Sequence, residues 1–183
     1  MKPWDRNKVV GNIGECIIEM LIKSLPNWRC VRFGVENHIQ ELRYHLQKNL
    51  TNESKKIKSM PDFIAINEGT GKVDFIDVKY KNDIYKRDNG DLLFYFGYRQ
   101  MKDYLEHWKN MKFIIVTTKE PYFMVIDLNE VDEKTHFHSN EKEKHREIWN
   151  FKGVNKDIKT LFPELEDEVL KEAIKLIPNV EIK

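Results

Sequence analysis

Two hydrophobic runs, Pro61-Asp62-Phe63-Ile64-Ala65-Ile66 and Lys72 to Tyr80, flank Asn67-Glu68-Gly69-Thr70-Gly71, a cluster of turn-forming residues. Runs of this length and apolar content read as strands, and the turn chemistry between them folds one back on the other as a hairpin. Strand side chains alternate with period two, so Val73, Phe75, Asp77 and Lys79 share one face. An acid and a base therefore project together from an otherwise apolar strand. Asp62 opens the other strand, and the hairpin brings it beside Asp77. Two carboxylates so close repel each other, and a hard divalent cation is the simplest relief. Taken singly, Asp-x-Lys reads as an exposed ion pair on an edge strand, and Pro61-Asp62 as a turn.

The rest of the chain builds around this hairpin. From Asn7 to Leu25, the apolar residues Val10, Ile13, Ile17, Ile18, Leu21, Ile22 and Leu25 recur at helical spacing, and Pro26-Asn27 ends the run. Trp28 to Val35 reads as a strand that completes a three-strand meander. Between it and the hairpin lies an insertion, 36–60, with a helical stripe of Ile39, Leu42 and Leu46 and then a polar stretch, Asn49 to Ser59. Downstream, Asp83 to Asp91 reads as a polar loop and Leu92 to Tyr98 as a short aromatic segment. Arg99 to Lys109 reads as a helix, and Lys112 to Thr118 and Tyr122 to Leu128 as two strands. The segment Glu130 to Asn150 is charged and reads as a loop. A last amphipathic helix is expected from Pro163 to Ile177, with Pro163 in its first turn and Leu165, Val169, Leu170, Ala173, Ile174 and Ile177 facing inward. The order is helix, three strands, helix, two strands, helix, which implies an α/β fold with a mixed sheet. The 183 residues suit one domain, 1–183, with a C-terminal extension at 130–183.

No apolar run approaches the roughly 20 residues needed to cross a bilayer, and none of signal-peptide length follows the first charges, so no membrane role and a cytoplasmic location are expected. Two cysteines, Cys16 and Cys30, cannot supply a four-cysteine metal site and read as reduced core residues. Net charge is +1, but it is unevenly spread. Residues 1–60 carry 11 basic and 6 acidic side chains (+5), 61–119 carry 10 and 9 (+1), and 120–183 carry 10 and 15 (−5). A basic front can face a polyanion while the whole chain stays near neutral. Lys55, Lys56 and Lys58 in the insertion, and Lys81, Lys86 and Arg87 after the hairpin, are the candidate phosphate contacts. The aromatic residues around the second group, Tyr80, Tyr85, Phe94, Tyr95, Phe96 and Tyr98, suit single strands, where bases stack on rings. His136, His138 and His145 have metal-ligand spacing but no carboxylate framework. Gly69-Thr70-Gly71-Lys72 lacks the remaining residues of a phosphate-cradling loop.

Pro61-Asp62, fourteen intervening residues and Asp77-Val78-Lys79 resemble the signature of the PD-(D/E)xK phosphodiesterase superfamily, which has the restriction-endonuclease-like fold. Glu15 stands where many members place an extra acidic ligand. Gln100-Met101-Lys102-Asp103-Tyr104 is similar to the Gln-x-x-x-Tyr motif of RecB-like members. The resemblance implies a Mg2+-dependent nuclease, with Mn2+ as substitute, that hydrolyses DNA phosphodiester bonds. It implies that Asp62, Asp77, the Val78 carbonyl and Glu15 bind the metal. Lys79 would orient or deprotonate the attacking water, and Gln100 and Tyr104 would contact phosphate or position Lys79. RecB-like members act on ends or single strands. Archaeal Holliday-junction resolvases carry a similar acidic set and would require a homodimer to cut two strands symmetrically. From another class, a catalytically weak nucleic-acid-binding protein could keep the same fold. The chain departs from iron-sulfur RecB relatives in its cysteines, and from small resolvases in its insertion and long tail. Gly11 and Gly14, beside Glu15, are expected to let a nucleic-acid backbone approach the first helix.

Overall fold

The structure, a computed structural model, describes residues 3–34, 51–82, 85–86, 92–140, 146–151 and 153–178. The first helix, α1 (Pro3–Lys23), starts earlier than expected and buries Ile17, Ile18, Leu21 and Ile22. It is followed by β1 (Trp28–Arg32), β2 (Phe63–Asn67) and β3 (Val73–Lys81), an antiparallel meander as the hairpin pattern predicts. Asn67 makes the turn: its Oδ1 accepts from Thr70 N at 2.9 Å and its carbonyl from Gly71 N at 2.8 Å. Gly71 closes it at φ +72°, a conformation glycine adopts without strain.

The polar stretch before β2 contains α2 (Asn52–Lys58), capped by Thr51 Oγ1 accepting from Ser54 N at 3.2 Å. The stripe of Ile39, Leu42 and Leu46 lies outside the described residues, as do Arg87 and His145. Next come β4 (Tyr85–Lys86), which falls in the expected loop, β5 (Leu92–Tyr95) and α3 (Tyr98–His107). Two strands follow, β6 (Lys112–Thr117) and β7 (Phe123–Asp127). In the expected loop 130–150, the described residues form α4 (Glu133–His136), β8 (Phe137–Asn140) and β9 (Arg146–Asn150), and 141–145 lie outside them. Phe137 pairs across to Trp149, which is fully buried, so two apolar residues far apart in sequence organise a segment whose local composition is polar. The chain ends with β10 (Asn155–Asp157) and α5 (Asp167–Lys175). Pro163 does not start α5: a 3-10 turn at Ile158–Thr160 and the Leu165 N to Phe162 O bond at 3.2 Å hold that stretch, and the helix begins after Glu166.

The strands form a six-stranded mixed sheet, β1-β2-β3-β6-β7-β10, and a smaller antiparallel one, β4-β5-β9-β8. Only the β3–β6 pair in the larger sheet is parallel, with α3 in the crossover between them. The alternation along β6 separates two cores. Ile114 and Val116 join α1 and α5 on one face, including the inward residues expected of the last helix. Phe113 and Ile115 join α3 and the small sheet on the other. Cys16 is exposed and Cys30 half-buried, so neither is a full core residue; both are free. Among the described residues no helix is long and apolar enough to cross a membrane.

Candidate active site

Phe63 pairs with Ile76, so the next step of the same register sets Asp62 across from Asp77. Pro61 has no N–H with which to continue the ladder, and β2 parts from β3 here. Asp62 takes over as partner: its Oδ2 accepts from Val78 N at 2.7 Å. β3 is a central strand, flanked by β2 and β6, which rules out an edge-strand ion pair. Asp62 and Asp77 are buried (7% and 2% exposed). Lys79 Nζ lies 2.5 Å from Asp77 Oδ2.

From the opposite wall, α3 contributes Gln100 and Tyr104, four residues apart and so on one helix face. The Tyr104 hydroxyl is the hub. It accepts from Lys79 Nζ at 3.0 Å and from Gln100 Nε2 at 3.3 Å, and donates to Asp77 Oδ1 at 3.3 Å. Its ring packs edge-on against Phe113 of β6, with centroids 5.1 Å apart, which fixes the hydroxyl over β3. Tyr104 is buried, whereas Gln100 is exposed at the mouth.

Burial, reinforced by the Asp77 charge and further by Glu15, holds the Asp62 carboxyl well above the usual aspartate range, against the lowering influence of Lys79 and the Val78 N–H. Burial works to lower the pKa of Lys79, but Asp77, Tyr104 and Asp62 outweigh it and hold the amine well above its ordinary value. Lys79 is thus an ammonium, suited to neutralising negative charge and not to taking a proton from water. Burial and the Asp77 charge raise the Tyr104 hydroxyl, which stays neutral.

Glu15 projects from α1. Its Oε2 lies 3.4 Å from Arg32 Nη1, and Arg32 is also held by Glu19 at 2.6 Å. Among the described residues no three His, Cys, Asp or Glu side chains are grouped to hold a metal ion, while Glu15 is near enough to Asp62 for its charge to raise that carboxyl. The two aspartates nonetheless suit a hard divalent cation in kind. They are oxygen donors, buried and facing, and such a cation would relieve both the burial and the Asp77 charge that raise the Asp62 pKa.

Lys81 extends the Asp77–Lys79 row by one more step of the strand. Its Nζ lies 4.2 Å from the Phe96 ring centroid, and burial, with the Lys79 charge, lowers its pKa to about 8. Lys55, Lys56 and Lys58 ride on α2, and the Trp108 Nε1–H donates to Lys56 O at 3.1 Å, tying α2 to the end of α3. Lys86 belongs to β4. His136 is buried, with Nδ1 within 3.0 Å of the Asp132 backbone N and 2.9 Å of its carbonyl, so it serves the α4 turn. A Cβ on Gly14 would meet the Tyr80 ring at 3.4 Å; that glycine admits a side chain of β3 and not a nucleic-acid backbone. At Gly11 the space is open.

One feature escaped the sequence reading. Phe33, Phe75 and Trp108 form an aromatic cluster, with centroid distances of 6.4 Å (Phe33–Phe75), 6.2 Å (Phe33–Trp108) and 5.6 Å (Phe75–Trp108). Period two already places Phe75 on the Asp77 face, but nothing local announces the other two. No family model and no curated protein matches the chain, so its own residues carry the functional argument.

Proposed function

We propose that this protein is a metal-dependent nuclease of the PD-(D/E)xK type, hydrolysing DNA phosphodiester bonds. The observation that carries the reading is the meeting of Asp62, Asp77 and Lys79 where β2 and β3 part, with Tyr104 bridging Lys79 to Asp77. An exposed structural ion pair would need neither the buried second carboxylate nor the bridging tyrosine. A helix, a three-strand meander, a helix and then a strand parallel to β3, with α2 and the pair β4 and β5 inserted among them, supports the restriction-endonuclease-like core that this reading expects.

In this reading Asp62, Asp77 and the Val78 carbonyl would hold Mg2+, or Mn2+ in its place, with Glu15, whose charge reaches Asp62, as a further carboxylate. The cation would supply an acidified water and a counter-charge for the phosphorane. The chain's own residues do the remaining work. Lys79 offers its ammonium to the scissile phosphate, and Tyr104 and Asp77 fix where that ammonium points. Gln100, exposed at the mouth, hydrogen-bonds the incoming phosphate. Lys55, Lys56, Lys58, Lys81, Lys86 and Arg87 contact the flanking backbone.

The engagement of Glu15 by Arg32 favours a second reading, a nucleic-acid-binding protein with weak catalysis. One assay separates the two. Purified protein is incubated with Mg2+ or Mn2+ and labelled linear duplex, circular single strand, flap and four-way junction. Cleavage that disappears in Asp77→Asn supports the nuclease; binding without cleavage in either metal supports the second reading.

A further inference from the structure

The aromatic cluster adjoins the carboxylates directly. Phe33 N donates to Asp62 O at 2.8 Å, and Phe75 precedes Asp77 by two residues on the same face of β3, about 6.7 Å along the strand. Val31 pairs with Ile64 and Ile64 with Phe75, so these side chains share the face of β1–β3 that carries Asp77. Among the described residues that face is covered only in part, with α2 at its edge against Trp108. The helices α1 and α5 pack on the opposite side, and α3 ends at Trp108. Val31 is left 49% exposed, while Phe33, Ile64, Phe75 and Trp108 are only partly buried. A half-open apolar floor beside a polar site marks a binding surface.

Its border has the charge that a polyanion needs. Lys56 Nζ stands 5.9 Å from the Trp108 ring centroid, on a helix that also carries Lys55 and Lys58 and is pinned by the Trp108–Lys56 bond. Rings to stack on, with cations alongside, are what an unpaired strand requires. Paired bases in a duplex present no free faces to such a floor.

We infer that unpaired nucleobases rest on the floor formed by Val31, Phe33, Phe75 and Trp108, making single-stranded nucleic acid the substrate class of this site. The inference rests on the nuclease reading and adds which form of substrate the cleft accepts. A base on Phe33 or Phe75 brings its own phosphate to Asp62 and Asp77, so stacking positions the bond to be cut.

The test is fluorescence anisotropy in Ca2+ with three labelled probes of equal length: oligo-dT, its abasic sugar-phosphate counterpart, and a duplex. Wild-type protein should bind oligo-dT most tightly. Phe33→Leu, which keeps an apolar side chain but removes the ring, should weaken oligo-dT roughly tenfold and leave the abasic strand unchanged. Val31→Gln, at an exposed position that tolerates the change, should reduce the same preference, and a thermal melt of each variant checks folding. An unchanged oligo-dT to abasic ratio in both variants, or duplex bound as tightly as oligo-dT, overturns the inference and leaves the nuclease reading standing. So does a dimer that Val31→Gln dissociates without altering affinity, which would make the floor a contact between copies of this chain. Absence of binding to all three probes overturns both.

Discussion

The Tyr104 hydroxyl lies 3.0 Å from Lys79 Nζ and is the neutral partner that holds this ammonium beside Asp77. A tyrosine so placed acts through lysine. Tyr104→Phe should therefore lower kcat by about 10- to 100-fold with little change in KM, since a misdirected charge loses transition-state stabilisation more than substrate binding. Gln100→Ala, which removes an exposed side chain proposed to meet the phosphate, should chiefly raise KM. Steady-state kinetics on one oligonucleotide separates the two patterns. Equal KM effects in both variants would place Tyr104 in substrate binding instead.

Asp62→Asn, Asp77→Asn and Lys79→Ala should each reduce cleavage by about a thousandfold or more, because each would remove a proposed metal ligand or the cation proposed to face the phosphate. Replacing Mg2+ by Ca2+ should preserve DNA binding and stop cleavage, as Ca2+ accepts looser oxygen geometry. Near-native turnover of Asp77→Asn, or equal rates in Ca2+ and Mg2+, would remove the metal site from the mechanism.

Asp62 also links stability to pH. Its folded pKa is raised above the ordinary 3.8, so the folded state binds the proton more tightly than the unfolded chain does. The stabilisation from that proton is fully present below 3.8 and is lost as pH rises through the raised folded value. Once ionised, the buried carboxylate is thus a burden on the fold. Asp62→Asn keeps an oxygen able to accept from Val78 N and removes the charge, so its Tm at neutral pH should exceed that of the wild type, with the gap closing in acid. Mg2+ should raise the wild-type Tm and leave that of the variant nearly unchanged. A lower Tm for Asp62→Asn at neutral pH would show that its charge is compensated.

What could be read beforehand was whatever local spacing encodes. The hairpin was legible because Asn67 to Gly71 is a self-contained turn, and the pairing of Asp62 with Asp77 follows from its register. Gln100 and Tyr104 were legible as one helix face. The strands β8 and β9 were not, since Phe137 and Trp149 find each other across a charged stretch with no periodic signal. The aromatic floor was hidden for a related reason: Trp108 reaches Phe33 and Phe75 only through the packing of α3 on the sheet. The engagement of Glu15 by Arg32 likewise depends on how α1 crosses β1, which a helical stripe does not specify.

The proposed DNA path can be tested by salt dependence. The lysines Lys55, Lys56 and Lys58 are carried by α2, which Trp108 ties to α3 on the side of the sheet that carries Asp77 and Lys79. Lys171 and Lys175 lie on α5, which packs on the opposite face, where they meet Glu168 at 3.7 Å and Glu172 at 2.6 Å. Each phosphate contact releases counterions, so its loss reduces the slope of log affinity against log salt by about 0.9 for duplex and about 0.7 for single strands. A Lys55→Ala, Lys56→Ala, Lys58→Ala triple variant should therefore bind less tightly in Ca2+ and show a shallower slope. A Lys171→Ala, Lys175→Ala variant should keep the wild-type slope, because those charges face away from the carboxylates and already have acidic neighbours. Titrations at several salt concentrations decide the matter: parallel lines for the triple variant and the wild type would make α2 an ordinary solvated helix and leave the backbone contacts to Lys81 and its neighbours.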